Sequence, residues 1–443
     1  MSKIPKPECY NPAVIPAAIE RITQPLKPAL ITGIDVGTTK TVTIIAQVSP
    51  DVGLELLGIG QYPSTGLRKG LVVDLDRTIA AIEESLAAAE RMAGERVHSA
   101  VIGVTGAHLR SHPAQGSVAV SNPDRGVSSD DIHRLMQLVK AQDFGQGRRH
   151  LATLVREYVL DGEGGLRNPR GRSALKLEMH GLLVSGDVNS LDQLHRAATA
   201  ARLTVQDMFL QPVASGEAVL TLDEMEQGTV LVDIGGGTSD VAVYLDGAVI
   251  YTYVIPVGGD HFDSDAAYAF ELDPAHAEWV KVHHGSVRAS AFASAIVARL
   301  PFPSAKQGVV PEKLLAEVLR PRAEELADLI RAELVATNLL YHLKGGCVLT
   351  GGGSQLDGLA ELVQTKLELP TRIGRPYGIA GRKEDLQSPS LATVVGLVKL
   401  AARDAEAAHP SRHNGAAHGG FLQSLLGLLE DSGRRFVSWV KGE

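Results

Sequence analysis

The chain has 443 residues, 44% of them hydrophobic and only 4% aromatic, which is enough for about two to four domain-sized units with aliphatic cores. The formal net charge of -8 at pH 7 gives the body no electrostatic reason to bind nucleic acid, so no nucleic-acid partner is expected. The two cysteines, Cys9 and Cys347, indicate neither a disulfide framework nor a metal cluster, and no apolar run reaches the roughly 18 residues that span a bilayer.

The N-terminal part of the chain changes character at Leu30. Residues 1–28 contain six prolines and no sustained hydrophobic period, which predicts a flexible leader without an assigned function. From Leu30 onward, LITGIDVG, TVTIIAQV and LELLGIGQYP are typical of strands. Asp76 can cap a helix that runs to about Met92, and the strand SAVIGVTG follows. This β-β-β-α-β order begins a folded lobe.

A small inserted subdomain is predicted between about Leu109 and Asp187. The segment combines a strand-like GSVAV, a helix SSDDIHRLMQLVKAQ and two longer strands, HLATLVREYVLDG and ALKLEMHGLLVSGD. The helix opens with a capping-box pattern from Ser128 to Asp131.

A second lobe follows the insert. After the helix LDQLHRAATAARL, the segment TVLVDIGGGTSDVAVYLDGAVIYTYVI repeats the strand, turn and strand of the first lobe. Asp35 in IDVGTTK and Asp233 in VDIGGGTSD each end a β-rich run and precede a Gly/Thr turn. Two related lobes are the simplest account of this repeat.

The rest of the chain is predicted to be mainly helical. The region from Phe262 to about Val335 has helical patterns, CVLTGGGSQLDGLAELVQ indicates a buried strand, a triple-Gly turn and a helix, and SPSLATVVGLVKLAAR indicates a final core helix. Residues 403–420, rich in Ala, Gly and His, are typical of a linker before a last segment, 421–443.

Three Gly-rich turns after strands are candidate phosphate-binding or nucleotide-binding turns, because Gly lets backbone N–H groups approach a phosphate closely. One such turn alone is more often purely structural, but three in this order, two of them in duplicated contexts, favour a nucleotide site. A carboxylate just before each of the first two turns, Asp35 and Asp233, can hold the waters of a phosphate-bound Mg²⁺. The turn residues are Gly37, Thr38, Thr39 and Lys40; Gly235, Gly236, Gly237 and Thr238; and Gly351, Gly352, Gly353 and Ser354.

With these three motifs the chain resembles the superfamily of actin, the heat-shock chaperone ATPases and the sugar kinases. The resemblance implies an α/β, two-lobed actin-like ATPase fold whose interdomain cleft binds ATP and Mg²⁺. It further implies that the first two turns surround the β/γ phosphates, that Asp35 and Asp233 organise Mg²⁺, and that the third turn meets the nucleoside. Lys281, in WVKVHHG, matches a family position near the adenine and ribose. An ordinary solvated helix lysine is the alternative for Lys281.

Gln211, in QPVAS, falls where actin has Gln and the heat-shock chaperones have Glu before this segment. A glutamine can position the water that attacks the γ-phosphate, but it is a poor proton acceptor at neutral pH. The expectation is therefore slow hydrolysis at most. The alternative is a hinge residue that packs beside Pro212.

The insert identifies the branch, because its stretches resemble the 1C subdomain of the FtsA family of actin-like bacterial cell-division proteins. They are RGVSSDDIHRLMQLVKAQ, EYVLDGEGGLRNPRG and LKLEMHGLLVSGD, and the resemblance continues through VIPVGGDHFDSDAAYAF and RPRAEELADLI, over about residues 30–400. The longer leader and a featureless 286–312 segment depart from the family pattern.

The FtsA resemblance implies four kinds of partner: the C-terminal peptide of the tubulin-like FtsZ, further copies of the chain in an actin-like filament, membrane lipid, and later division proteins that contact the 1C subdomain. The family's peptide-contacting Arg and Glu fall on Arg322 and Glu325. Without the resemblance, a solvated i,i+3 pair on a helix is the simpler interpretation. The implied location is the cytoplasmic face of the membrane, as a peripheral protein at the division site.

The C-terminal segment GGFLQSLLGLLEDSGRRFVSWVKGE separates into an apolar and a polar half at about 100° per residue, which predicts a membrane-targeting amphipathic helix. A helix that docks onto the body or onto another subunit is the alternative. Arg434 and Arg435 add attraction to anionic lipid on the polar half. The apolar half contains Phe421, Leu422, Leu425, Leu426, Leu428, Leu429, Phe436, Trp439 and Val440.

The predicted function is thus that of an ATP-binding adaptor that tethers FtsZ filaments to the membrane. A small-molecule kinase of the same superfamily and a PilM-like pilus-assembly adaptor are the alternatives.

The predicted units are a leader (1–28), lobe 1 (29–108, 189–204 and a closing helix, 386–402), the 1C insert (109–188), lobe 2 (205–260 and 336–385), subdomain 2B (261–335), a linker (403–420) and the membrane helix (421–443).

Overall fold

A computed structural model of the chain describes residues 30–49, 52–288, 290–291, 296–301, 308–381 and 386–408. The predicted leader, most of the predicted linker and the whole predicted membrane helix lie outside these described residues. Within them, every helix is too short or too polar to cross a bilayer.

The first lobe begins as the sequence predicts, with three strands, a helix and a strand. The helix starts earlier than expected, because Asp74 and not Asp76 is the N-cap. The Asp74 side chain accepts a hydrogen bond from the Arg77 N–H. Asp76 lies in the first turn, where its negative charge interacts favourably with the helix dipole. The elements are β1 (Leu30–Val36), β2 (Lys40–Ser49), β3 (Gly53–Pro63), the short β4 (Leu67–Arg68) and β5 (Leu71–Val72), α1 (Leu75–Ala93) and β6 (Ser99–Val104).

The insert is a four-stranded antiparallel sheet with one helix packed on it. The predicted capping box is confirmed: the Ser128 hydroxyl accepts a hydrogen bond from the Asp131 N–H, and the Asp131 carboxylate accepts one from the Ser128 N–H at 2.9 Å. The elements are β7 (Arg110–Ala119), α2 (Ser129–Lys140), β8 (Arg148–Leu160), β9 (Glu163–Leu166) and β10 (Lys176–Asp187), in the sheet order β7-β10-β8-β9.

The chain returns to the first lobe through α3 (Val188–Ala200) and β11 (Thr204–Leu210), which completes a five-stranded sheet in the order β11-β6-β1-β2-β3. This corrects the predicted start of lobe 2 at residue 205, because β11 pairs with β6 of the first lobe up to Leu210. Strand β1 pairs antiparallel with β2 and parallel with β6. Helix α1 buries Ile82, Leu86 and Ala89 against this sheet. Helix α4 (Gln211–Val219) follows β11 directly and leads to the second lobe.

The second lobe repeats the sheet of the first. Its order is β14-β13-β12-β17-β18, and β12 pairs antiparallel with β13 and parallel with β17, as β1 does with β2 and β6. The duplication predicted from the two Asp-turn motifs is therefore visible in the strand order. The elements are α5 (Leu222–Gln227), β12 (Thr229–Ile234), β13 (Ser239–Leu245), β14 (Ala248–Ile255), α6 (Gly259–Phe270), α7 (Pro274–His284), β15 (Val297–Arg299), β16 (Val309–Pro311), α8 (Glu312–Ala336), β17 (Cys347–Thr350), α9 (Leu359–Leu367) and β18 (Thr371–Ile373).

Helices α6, α7 and α8 form the helical part that the sequence predicts between β14 and β17. The 286–312 segment, in which the sequence shows no pattern, contributes a two-stranded antiparallel sheet. In it, Ala298 of β15 lies opposite Val310 of β16. Both of these residues are buried in the core of this lobe.

Helix α10 (Ala392–Ala408) packs on α4 and on strands of the first lobe, so α4 and α10 are the two helices at the crossing between the lobes. A Cβ added at Gly396 would lie 1.7 Å from the Ala214 carbonyl oxygen, which shows how closely the two helices approach. Helix α10 also corrects the predicted linker boundary at residue 403, because it continues to Ala408.

Candidate nucleotide-binding site

A cleft of about 610 Å³ lies between the two lobes. Turns from both lobes line it, as do side chains of the two crossing helices. All of the sequence-predicted nucleotide and magnesium residues except Ser354 line this cleft, together with Gln211 and Lys281. Ser354 is buried behind it, where its hydroxyl donates a hydrogen bond to the Gly351 carbonyl at 2.7 Å.

The first two Gly-rich turns have the same backbone closure. The Gly37 N–H donates to the Lys40 carbonyl at 3.0 Å, and the Gly235 N–H donates to the Thr238 carbonyl at 2.9 Å. Each turn therefore joins two antiparallel strands, β1 to β2 in one lobe and β12 to β13 in the other. The predicted equivalence of the two motifs extends to their hydrogen bonds.

The two turns face each other across the cleft at very short range. A Cβ added at Gly236 would lie 2.0 Å from Thr39 Oγ1, and one added at Gly237 would lie 3.1 Å from Thr38 Oγ1. A side chain at Gly236 would displace the Thr39 hydroxyl from this position. Backbone groups of one lobe thereby come next to hydroxyl groups of the other, as a site for a multiply charged anion requires.

The triple-Gly turn forms a third wall of the cleft. Gly351 has φ +81°, which glycine adopts readily, and a Cβ there would lie 2.3 Å from Asp233 Oδ1. The same turn contacts Ile234, because a Cβ at Gly353 would lie 2.4 Å from its Cγ2 atom. Glycine is thus required here so that the turn can reach the end of β12.

Buried carboxylates lie at the inner end of the cleft. Gln211 Nε2 donates to Asp35 Oδ1 at 2.9 Å, so Gln211 faces the cleft and does not merely pack beside Pro212. The Asp233 Oδ2 atom accepts hydrogen bonds from the hydroxyls of Ser215, on α4, and Thr393, on α10. One carboxylate oxygen is therefore held by both crossing helices.

These carboxylates hold their protons more strongly than ordinary aspartates. Burial, reinforced by repulsion from Asp233, raises the pKa of Asp35 to about 7, although Lys40 acts in the opposite direction. Burial likewise raises the pKa of Asp240 to about 7, against a hydrogen bond from Thr105. Burial also raises the pKa of Asp233. Ionising all of these carboxyl groups together is therefore unfavourable in the ligand-free cleft, and a bound cation would favour their ionised forms.

Two lysines balance part of this charge. Lys40 Nζ donates to Ser390 Oγ at 2.8 Å, which ties the first turn to the segment before α10. Lys281 Nζ forms an ion pair with Asp263 Oδ2 at 2.7 Å, and only 15% of the Lys281 side chain is exposed. Lys281 is therefore a cleft residue and not the solvated lysine considered as an alternative.

Sequence reasoning missed Asp240, Ser215 and Thr393. The sequence did contain a signal for Asp240, because Asp240 ends the same VDIGGGTSD motif that contains Asp233. In the β12–β13 hairpin the two aspartates lie directly opposite each other. The two hydroxyls carried no comparable signal, since their role depends on how the two helices cross. Asp263 was missed as well. Burial raises its pKa to about 6, although the attraction of Lys281 lowers it.

No group of three or more His, Cys, Asp or Glu side chains is arranged to bind a metal ion directly within the part of the chain that the structure describes. Any Mg²⁺ near Asp35 and Asp233 would then be bound through water and through phosphate oxygens. Several buried carboxyl groups that are costly to ionise alone fit a hydrated cation in that position, because its charge would favour their ionised forms.

The two residues predicted to bind a peptide lie together on α8, outside the cleft. Arg322 forms two hydrogen bonds with Asp265 of α6, at 2.8 and 3.0 Å, and a third with Glu325. The i,i+3 pair of the simpler interpretation is therefore present. The side-chain exposure of Arg322 is 26% and that of Glu325 is 47%, so both remain accessible at the surface.

Known proteins resemble this chain over most of its length. A family model described as "Cell division protein FtsA" matches residues 230–396, and one described as "SHS2 domain inserted in FTSA" matches residues 106–185. The cell division protein FtsA of Pseudomonas aeruginosa is 37% identical over 370 residues, 83% of this chain and 88% of the relative. That of Neisseria meningitidis is 32% identical over 409 residues, 91% of this chain and 98% of the relative.

Solved structures confirm the architecture independently of close sequence similarity. A chain of a PilM-PilN type IV pilus biogenesis complex superimposes with a TM-score of 0.63 at 17% identity, over 85% of this chain and 99% of the other. This likeness shows the fold alone. The relatives above, at 32–37% identity over most of both chains, establish that the chain belongs to the FtsA family of actin-like cell-division proteins.

Proposed function

We propose that the protein binds ATP and Mg²⁺ in the cleft and assembles in actin fashion on the cytoplasmic face of the membrane, where it tethers FtsZ filaments. The observation that carries the nucleotide part is the pair of equivalent turns that face each other from duplicated lobes, with Gly236 against Thr39. Backbone N–H groups on both sides suit the β and γ phosphates, and the triple-Gly turn suits the nucleoside.

In this proposal Asp35 and Asp233 bind the waters of a phosphate-bound Mg²⁺. The charge of that ion favours the ionised carboxylates and offsets the burial that raises their pKa. Gln211, held by Asp35, orients a water toward the γ-phosphate. Because an amide cannot accept the proton effectively, the protein is at most a slow ATPase. Lys281, which lines the cleft, is proposed from the family resemblance to contact the nucleoside.

The proposed peptide site is the surface around Arg322 and Glu325. Asp265 already holds the Arg322 guanidinium in a fixed orientation, which leaves less side-chain entropy to lose when a peptide carboxylate binds. The insert, with its own core and its sheet, is the proposed contact for later division proteins.

The Arg322→Ala variant is expected to lose at least tenfold in affinity for the C-terminal peptide of FtsZ, because one charge-assisted hydrogen bond is worth about 1.5 to 3 kcal/mol. Fluorescence anisotropy with a labelled peptide measures this. The matched control is Arg331→Ala, further along the same helix, where the weaker pair with Glu368 spans 3.7 Å. Equal losses in both variants would contradict a specific role for Arg322.

Membrane attachment is proposed for the segment 421–443. The full-length protein is expected to co-sediment with anionic liposomes, while a variant ending at Arg412 stays in the supernatant, because interfacial burial of an apolar helix face drives binding. The measurement is the pelleted fraction with and without ATP–Mg²⁺. Equal pelleting of the two proteins would assign the segment to docking on protein instead.

A further inference from the structure

The short hairpin formed by β4 and β5 approaches the cleft at the point where the two phosphate turns meet. Its strands pair Leu67 with Val72 and Arg68 with Leu71, so Lys69 and Gly70 form its tip. A Cβ added at Gly237 would lie 3.1 Å from Thr38 Oγ1 and 3.2 Å from both the N and Cα atoms of Lys69. The tip therefore meets the first turn and the second turn at one place.

The base of this hairpin is fixed to the first lobe. The Ser64 N–H donates to the Thr39 carbonyl at 2.9 Å, so the segment before the hairpin is bonded to the first phosphate turn. A Cβ at Gly66 would lie 2.3 Å from Thr78 Oγ1 on α1, and Leu67 is buried in the lobe core. The hairpin is a rigid arm of lobe 1 whose tip touches lobe 2.

The tip has an unusual backbone. Lys69 has φ +52° and Gly70 has φ +76°, the combination of a two-residue hairpin turn that normally carries Asn-Gly. A lysine in the left-handed region is unfavourable by roughly 1 kcal/mol, and such residues concentrate at functional sites. The position thus has a lysine where the backbone alone would favour asparagine or glycine.

The Lys69 side chain is available for a ligand. It is exposed, and within the described ranges its ammonium forms no hydrogen bond or ion pair. Gly70, beside it, lines the cleft. By contrast, the ammonium groups of Lys40 and Lys281 are already bonded to Ser390 and Asp263. Lys69 is not itself among the residues that line the cleft, but its backbone lies where the two turns meet. Its ammonium would have to swing toward a bound phosphate, and this movement breaks no existing contact among the described residues.

We propose that the β4–β5 hairpin senses the terminal phosphate of the nucleotide, with Lys69 as the residue that contacts it. The tip already meets both turns, and the Lys69 ammonium would add a contact to the γ-phosphate that ADP cannot provide. This inference rests on the proposed nucleotide binding and adds to it a residue that discriminates ATP from ADP.

The test compares the affinities of ATP–Mg²⁺ and ADP–Mg²⁺ for the wild type, Lys69→Gly and Lys69→Arg, measured by calorimetry on the full-length protein. Glycine adopts φ +52° without strain, so Lys69→Gly removes the ammonium and keeps the turn. We expect Lys69→Gly to lose about tenfold in ATP affinity with ADP affinity changed less than twofold, and Lys69→Arg to retain most of the ATP affinity.

Three outcomes would overturn the proposal. Unchanged ATP affinity in Lys69→Gly would show that the ammonium makes no contact with the nucleotide. Equal losses for ATP and ADP would show that the hairpin only shapes the cleft. If the wild type binds neither nucleotide, the proposed function is overturned and this inference with it. This third outcome is distinct from the first two outcomes, because in those the wild type does bind nucleotide.

Discussion

The Asp35→Asn protein is expected to bind ATP–Mg²⁺ at least tenfold more weakly than the wild type and yet to be more stable than the wild type at pH 8 without ligand. Asparagine can still accept the hydrogen bond from Gln211, so the local geometry is retained. The variant lacks the negative charge that attracts the cation and that repels Asp233. The same change therefore weakens ATP–Mg²⁺ binding and removes the electrostatic repulsion that destabilises the ligand-free cleft, a combination that is common at functional sites.

The direction of the pH effect follows from the raised pKa of Asp35, which is about 7 in the folded protein against 3.8 for an ordinary aspartate. A group whose pKa is raised by folding contributes stability that is present below the unfolded pKa and lost as pH rises through the folded pKa. The free energy of unfolding of the ligand-free wild type should thus fall between about pH 4 and 8. Asp240 has the same shift, so Asp35→Asn should reduce this fall without abolishing it.

Urea unfolding at pH 5 and pH 8, in the presence of a chelator, measures the effect. The control is Asp124→Asn, which removes an exposed charge in the insert and should leave the difference between the two pH values unchanged. If Asp35→Asn loses as much stability as the wild type between these pH values, the buried carboxylate is not the source of the pH dependence.

The Gly396→Ala variant is expected to be destabilised by roughly 2 to 4 kcal/mol, because the added Cβ would lie 1.7 Å from the Ala214 carbonyl oxygen and 2.3 Å from its carbon. These are backbone atoms, so only a separation of α4 and α10 can relieve the overlap. Alanine is the better helix former by about 1 kcal/mol, which acts in the opposite direction but is the smaller term.

The midpoint of urea unfolding measures this loss. Gly308→Ala is the control, because no atom of the described residues lies within 4 Å of a Cβ at that glycine. A Gly396→Ala protein as stable as the wild type would mean that the two helices do not approach as closely as the structure indicates. A weakened nucleotide affinity in the same variant would link the helix crossing to the cleft.

The sequence predicted best those features that depend on neighbouring residues. The strand, turn and strand units at Asp35 and Asp233 and the capping box at Ser128 are short-range patterns, and each is present in the structure. The start of α1 was misplaced by two residues, because Asp74 and Asp76 are both acceptable caps and only the backbone shows which one is extended.

Long-range contacts could not be predicted in this way. The bond from Thr393 to Asp233 joins residues 160 positions apart, and no spacing in the sequence indicates it. The β15–β16 pair was missed because each strand has only three residues, too few to show an alternating pattern. The last helix exceeded its predicted end because Ala and charged residues suit a helix as well as a linker.

The hydrogen bonds of Ser215 and Thr393 to one oxygen of Asp233 have a mechanical consequence. The two hydroxyls belong to α4 and α10, and the carboxylate ends the central strand of lobe 2. A change of charge at Asp233 is therefore expected to alter the hydrogen bonds that hold α4 and α10 to lobe 2. If the angle between the lobes follows, subunits with different ligands would differ in shape, and the proposed filament would bend or straighten with the composition of its clefts.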